Sequence, residues 1–162
     1  MCTREKVQQE RLQHGLKNMK ILLIQSHGKG SSCLLEDGSY TVYDKNPVKL
    51  LNELCLMHGS TIQGRKDAYS ILMDRKRKAP VLISEQNFEM FFPVLSSTDP
   101  KDMLWLSYGD IWMYKQIEDN LTKVYFISGC EADVPVSRRT LKYQIDKCKE
   151  YQKYFLEKEK TV

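Results

Sequence analysis

Hydrophobic positions along the chain change their spacing several times, and each change marks an element. Residues 3 to 19 carry Val7, Leu12, Leu16 and Met19 at loosely helical intervals with Gly15 interrupting, a pattern that fits a frayed helix and a disordered arm equally well. From Lys20 short apolar runs take over, and Lys20 to Gln25, Ser32 to Leu35 and Tyr40 to Tyr43 read as strands. Between the last two lies Glu36-Asp37-Gly38-Ser39, where Asp-Gly tolerates the positive backbone angles of a tight turn, so an antiparallel meander is expected. Asn46-Pro47 then opens a helix over about 46–57, because the asparagine side chain accepts a free amide and proline has none to satisfy. Val48, Leu51, Leu54, Cys55 and Met57 give that helix an apolar face, and Gly59 supplies a left-handed stop.

Beyond it the pattern is rich in strands. Ala68 to Leu72 and Pro80 to Ser84 read as a strand pair, with Arg75-Lys76-Arg77-Lys78 as the hairpin tip between them. Asn87 to Leu95 is a further apolar segment, broken at Ser96-Ser97-Thr98-Asp99-Pro100. Leu104 to Ser107, Asp110 to Gln116 and Lys123 to Ser128 read as strands, with turns at Tyr108-Gly109 and Asp119-Asn120. Ala132 to Val136 is expected at a sheet edge, since Pro135 has no amide to give a central ladder. Ser137 caps a last helix at about 138–157, in which Leu141, Ile145, Cys148, Tyr151 and Phe155 recur every three or four residues. The expected fold class is α+β: a single domain over 20–162 with an antiparallel β-rich centre, preceded by residues 1–19 as a polar arm or weak helix.

Composition narrows the function classes. No segment approaches the roughly 20 apolar residues of a membrane helix, and the polar start Met1-Cys2-Thr3-Arg4 has no secretory core, so a cytoplasmic protein is expected. The five cysteines are scattered, none in a C-x-x-C pair, and read as reduced thiols. Charge is sorted into blocks: +3 over residues 1–20, −1 over 21–64, +4 over 65–78, −6 over 79–136 and +4 over 137–162. One basic and one acidic face would follow from this sorting, and so would ordinary solvated surfaces.

Three features bear on candidate chemistry. Gly59-x-x-x-x-Gly64-Arg65-Lys66 keeps the glycines of a phosphate-binding loop but has Lys66 where the magnesium-binding hydroxyl belongs, and it follows a helix rather than a strand. Cys55-x-x-His58 has no second ligand pair, so a buried thiol beside a helix-end histidine is the simpler reading. No nucleophile elbow or carboxylate pair stands out; the chain reads as a non-enzyme that needs neither metal nor cofactor. What remains is Ser60, Thr61, Gly64, Arg65 and Lys66, then Arg75, Lys76, Arg77 and Lys78, with Ser96 and Ser97 later: cations, hydroxyls and glycine amides of the kind that meet nucleic-acid phosphates. The competing reading of Arg75 to Lys78 is a solvated hairpin tip.

The segments Cys55-x-x-x-Gly59-Ser60-Thr61-x-x-Gly64-Arg65-Lys66, Pro80-Val81-Leu82-Ile83, Phe91-Phe92-Pro93-Val94-Leu95-Ser96-Ser97-Thr98-x-Pro100 and Trp105-Leu106-Ser107 together resemble the ComK family of competence transcription factors in Gram-positive bacteria. The resemblance runs from about Lys20 to Val136 and loosens in the final helix. It implies an activator that binds paired A/T-rich boxes of double-stranded DNA mainly through the minor groove, as a dimer or higher assembly. It further implies recruitment of RNA polymerase, delivery to an adaptor-linked protease, and a cytoplasmic protein located at the nucleoid when bound. By position, Arg65, Lys66, Ser96 and Ser97 fall on the family's motifs, whereas the DNA role of Arg75 to Lys78 and of Arg138 and Arg139 comes from charge. Asp67, Asp99 and the acidic 79–136 block depart from a purely basic surface and keep a second expectation open, a ComK-like protein-interaction module with little DNA affinity.

Overall fold

In the computed structural model, which describes residues 19–95 and 99–160, the strands form three antiparallel meanders. The first is β1 (Ile21–His27), β2 (Gly30–Leu35) and β3 (Tyr40–Tyr43); the second is β4 (Val81–Ser84), β5 (Glu89–Leu95) and β6 (Leu104–Ser107). Antiparallel pairing of β1 with β6 fuses the two into a six-stranded sheet of order β3-β2-β1-β6-β5-β4. The third meander, β7 (Ile111–Glu118), β8 (Leu121–Phe126) and β9 (Glu131–Val134), is a separate sheet. The helices are α1 (Pro47–Leu56), α2 (Ile62–Met73) and α3 (Arg138–Lys160).

The large sheet is buried on both sides. Ile24, Val81, Ile83, Phe91 and Trp105 meet Leu50, Leu51, Leu54 and Cys55 of α1. Their sequence neighbours Leu82, Phe92, Leu104 and Leu106 face the other way, onto Val124 and Phe126 of the small sheet and Leu141, Ile145 and Cys148 of α3. Successive side chains of a strand point to opposite faces, so a sheet covered on both demands continuous apolar runs. That is the pattern these segments carry.

Local chemistry fixes the junctions. Asn46 accepts the Lys49 amide at 3.0 Å with Pro47 at the first helical position, and Gly59 takes φ +76° just beyond α1. Gly30 starts β2 where a Cβ would lie 2.0 Å from the Tyr43 carbonyl oxygen, a separation only glycine permits. Ser137 accepts the Thr140 amide at 3.2 Å and so starts α3, which runs on to Lys160, past the expected end near 157. Pro93 lies in β5 beyond the ladder to β4, which ends at the Val81–Phe91 pair, and the ladder to β6 shifts register between Pro93 and Leu95. A proline is tolerated where no neighbouring strand needs its amide, and its buried carbonyl is taken up by Gln144.

One element differs from expectation. Residues 68–72 are not a strand but the second half of α2, and Arg75 to Lys78 is accordingly a helix-to-strand connection rather than a hairpin tip. The Thr61 hydroxyl accepts the Gly64 amide at 3.0 Å, which commits the chain to a helical turn. Ile62, Arg65, Tyr69 and Met73 then recur at helical spacing as the inward face, while Ile71 and Leu72, which suggested a strand, are 79% and 41% exposed. The helix lies along β4, where it covers an otherwise open sheet edge. Residues 1–18, for which an arm or weak helix was expected, and the Ser96-Ser97-Thr98 segment lie outside the described residues.

The register of α2 is open to a direct check by urea unfolding. Tyr69→Ala is expected to cost about 3–5 kcal/mol and Ile71→Ala no more than about 0.5 kcal/mol. A large cost at Ile71 would restore the strand.

Candidate nucleic-acid interface

The loop after α2 turns its backbone inward and its cations outward. Asp74 ends α2 in the left-handed conformation at φ 53°, and Lys78 adopts φ 48° four residues later. Between these bends the carbonyl oxygen of Arg77 accepts from Lys147 Nζ at 3.0 Å, and that of Lys78 accepts from Gln144 Nε2 at 3.2 Å. The same Gln144 nitrogen donates to the Pro93 carbonyl at 2.6 Å, so one side chain of α3 ties the loop to β5. Outside, Arg75 Nη1 stands 3.4 Å from Glu150 Oε2, an exposed pair worth under about 1 kcal/mol. Lys76, Arg77 and Lys78 are exposed and form no ion pair among the described residues.

The Gly64-Arg65-Lys66 motif is employed differently. Of the amides at the start of α2, that of Ile62 donates to Asn52 Oδ1 at 2.9 Å and that of Gly64 to Thr61, which leaves little of a free anion cradle. Arg65 has only 16% of its side chain exposed and sits 3.5 Å from Glu85, close enough to Tyr151 and Cys55 to act on both electrostatically. Lys66 stands over the Trp105 ring at 6.0 Å. The motif therefore joins α2 to α1, α3 and the sheet. Ser60 and Thr61 lie at the start of the helix with their hydroxyls near the Cβ-less face of Gly64.

The remaining candidates fall elsewhere. Arg138 lies over the Tyr114 ring at 5.3 Å and its amide donates to Gln116 at 3.1 Å, so it belongs to the small sheet's surface, with Arg139 exposed beside it. A helix turns about 100° per residue, which puts Arg138 and Lys147 on opposite flanks of α3. Arg65 and Arg75 share the α2–α3 seam, and the Arg138-Arg139 pair does not join them. Ser96 and Ser97 are outside the described residues.

Gln144 and Lys147 were missed by the sequence reading, although both are buried. The signal was present: Gln144 sits three residues after Leu141 and four before Cys148, inside the apolar stripe of α3. Burial, followed by the nearby Arg75 and Lys78, pushes the Lys147 amine below the ordinary lysine range. Burial raises the Cys55 thiol to about 11 and the Cys33 thiol to about 12, far from a reactive thiolate, and His58 is exposed. Among the described residues no three His, Cys, Asp or Glu side chains converge as a metal site, and no helix is long and apolar enough to cross a membrane.

Three cations with no ion pair among the described residues, on a loop whose Arg77 and Lys78 carbonyls are held from beneath, make a surface suited to a polyanion. The chain belongs to the ComK family, described as ComK protein, whose match spans residues 16–160. It is similar to the competence transcription factor of Bacillus subtilis (strain 168), with 27% identity over 118 residues, which is 73% of this chain and 61% of that protein. The chain thus matches somewhat under two thirds of that relative's length. No solved structure matches.

The structural role of Arg65 predicts a specific asymmetry. Arg65→Ala is expected to destabilise the fold by about 1–3 kcal/mol through lost packing and pairing, and Glu85→Gln, at the exposed end of the same pair, by less than about 1 kcal/mol in thermal unfolding. Equal and negligible effects would return Arg65 to the free surface.

Proposed function

We propose that this protein is a DNA-binding transcription factor that contacts double-stranded A/T-rich DNA through the Arg75–Lys78 loop. The observation that carries this reading is the pinned loop itself: Lys76, Arg77 and Lys78 are exposed and unpaired among the described residues, while the carbonyls of Arg77 and Lys78 are held by Lys147 and Gln144. A short, rigid, cationic loop fits the narrow, electronegative minor groove of A/T-rich sequence, where selectivity comes from groove width more than from base-edge hydrogen bonds. Membership of the ComK family and similarity to a protein named competence transcription factor support the same reading. The finer expectations follow as part of the proposal: activation of competence genes, minor-groove entry, contact with RNA polymerase, self-association, turnover by an adaptor-linked protease, and residence in the cytoplasm. Arg138 and Arg139, on the opposite flank of α3, lie outside the proposed contact, and Arg65 holds the loop's helix rather than touching DNA.

A second reading has one observation in its favour. Trp112 is 70% exposed on β7, with Met113 and Ile117 also exposed along the same strand, and Glu131 and Asp133 are exposed on β9 across the small sheet. A protein-interaction module with weak DNA affinity would use that sheet.

Gel-shift titration on A/T-rich and G/C-rich duplexes at two salt concentrations separates the two. With about three or four phosphates neutralised, the affinity for A/T-rich DNA should fall with a log–log salt slope of roughly −3 to −4. Replacing Lys76, Arg77 and Lys78 by alanine should reduce the slope by about one per cation removed. Binding that is indifferent to salt and to the loop favours the interaction module.

A further inference from the structure

Lys147 is a buried cation with no carboxylate partner among the described residues. Its residue is 4% exposed, its Nζ donates to the Arg77 carbonyl at 3.0 Å and lies 5.0 Å from the centre of the Tyr143 ring, and it forms no ion pair among the described residues. The charged side chains acting on it from the loop are Arg75, Lys78 and Arg77, all of its own sign, and the buried Cys148 thiol beside it is neutral. A charge in that setting opposes folding, and an apolar side chain of similar volume satisfies packing alone at least as well. The group that Lys147 does satisfy is a carbonyl of a loop that passes through left-handed backbone at two non-glycine residues, Asp74 and Lys78. Sparsely populated conformations of this kind persist only where the surroundings impose them, and they concentrate at functional loops. Gln144, 2% exposed, imposes the neighbouring carbonyl from the same helix.

We infer that Lys147 is a positioning residue for DNA contact: through the Arg77 carbonyl it holds the Arg75–Lys78 loop in the shape that presents its cations, and it does so against the stability of the fold. The inference rests on the loop being the DNA-contacting surface. It also gives the buried charge a reason, since phosphates arriving outside the loop offset the repulsion among Lys147, Arg75, Arg77 and Lys78, so the cluster is relieved when DNA binds.

The test is Lys147→Met in the full chain, alongside the wild type and the Lys76, Arg77 and Lys78 alanine variant, with three readouts: melting temperature, affinity for an A/T-rich duplex at fixed salt, and the rate of tryptic cleavage within residues 75–78. Lys147→Met is expected to melt no lower than the wild type, to bind about tenfold more weakly as the pre-organised loop is lost, and to be cut several-fold faster in the loop. A supporting residue of the ordinary kind moves stability and affinity down together, so a variant that melts lower or fails to fold overturns the inference. Unchanged affinity in Lys147→Met, with loss of binding in the alanine variant, overturns it while leaving the DNA reading intact. Absence of binding by the wild type removes that reading and this inference with it.

Discussion

The edge-on contact between Tyr69 and Tyr151, with ring centres 4.9 Å apart and both rings buried, is what the remainder of the candidate site depends on. Tyr69 comes from α2, which lies along β4, and Tyr151 from α3, which packs against the other side of the sheet. Their contact closes the molecule around that edge. Tyr151 in turn meets Phe155 at 5.0 Å and Phe155 meets Phe88 at 5.6 Å, so the seam is a continuous aromatic strip. Aromatic pairs of this geometry add about 0.5–1.5 kcal/mol each beyond the area they bury. Because α2 cannot slide along α3 without breaking the strip, the loop that follows α2 arrives at a fixed height on α3, opposite Gln144 and Lys147.

Backbone satisfaction accounts for the next layer. Past Phe91 the ladder of β5 to β4 has ended, and the buried carbonyl of Pro93 beyond it needs a donor. Gln144 meets that need and, with the same amide group, reaches the loop. A requirement of the sheet and a requirement of the surface are thereby met by one side chain. Arg65 works on the other flank of the seam, where its largely covered guanidinium pairs with Glu85 and sits near Tyr151. The basic residues of this region thus divide by burial: Arg65 builds the frame, and Lys76, Arg77 and Lys78 are presented by it.

Much of this was legible in the residues. The first meander, the Asn46-Pro47 helix start and the amphipathic α3 follow from turn and capping chemistry and periodicity, and the edge position of β9 from the missing amide of Pro135, all of which are local. The family was legible too, from motifs spread over four segments. What escaped was tertiary. The stretch Ala68 to Leu72 looks like a strand because Ile71 and Leu72 are adjacent and apolar, yet both are exposed; the helix is set by Thr61 upstream and by the open edge of β4, and only the first of these is visible in sequence. Glu85 is twenty residues from Arg65, Glu150 is seventy-five from Arg75, and no spacing rule joins them. Gln144 and Lys147 read as polar positions on a basic helix until the loop they hold is in view.

Amide hydrogen exchange, with and without an A/T-rich duplex, tests the central claim most directly, since it reports on the loop and the seam in one measurement. The account predicts slow exchange across the α2–α3 seam in the free protein and added protection on DNA binding confined mainly to residues 74–79, with Glu131–Val134 unaffected. Protection that appears instead along the small sheet, with residues 74–79 unchanged, would contradict it.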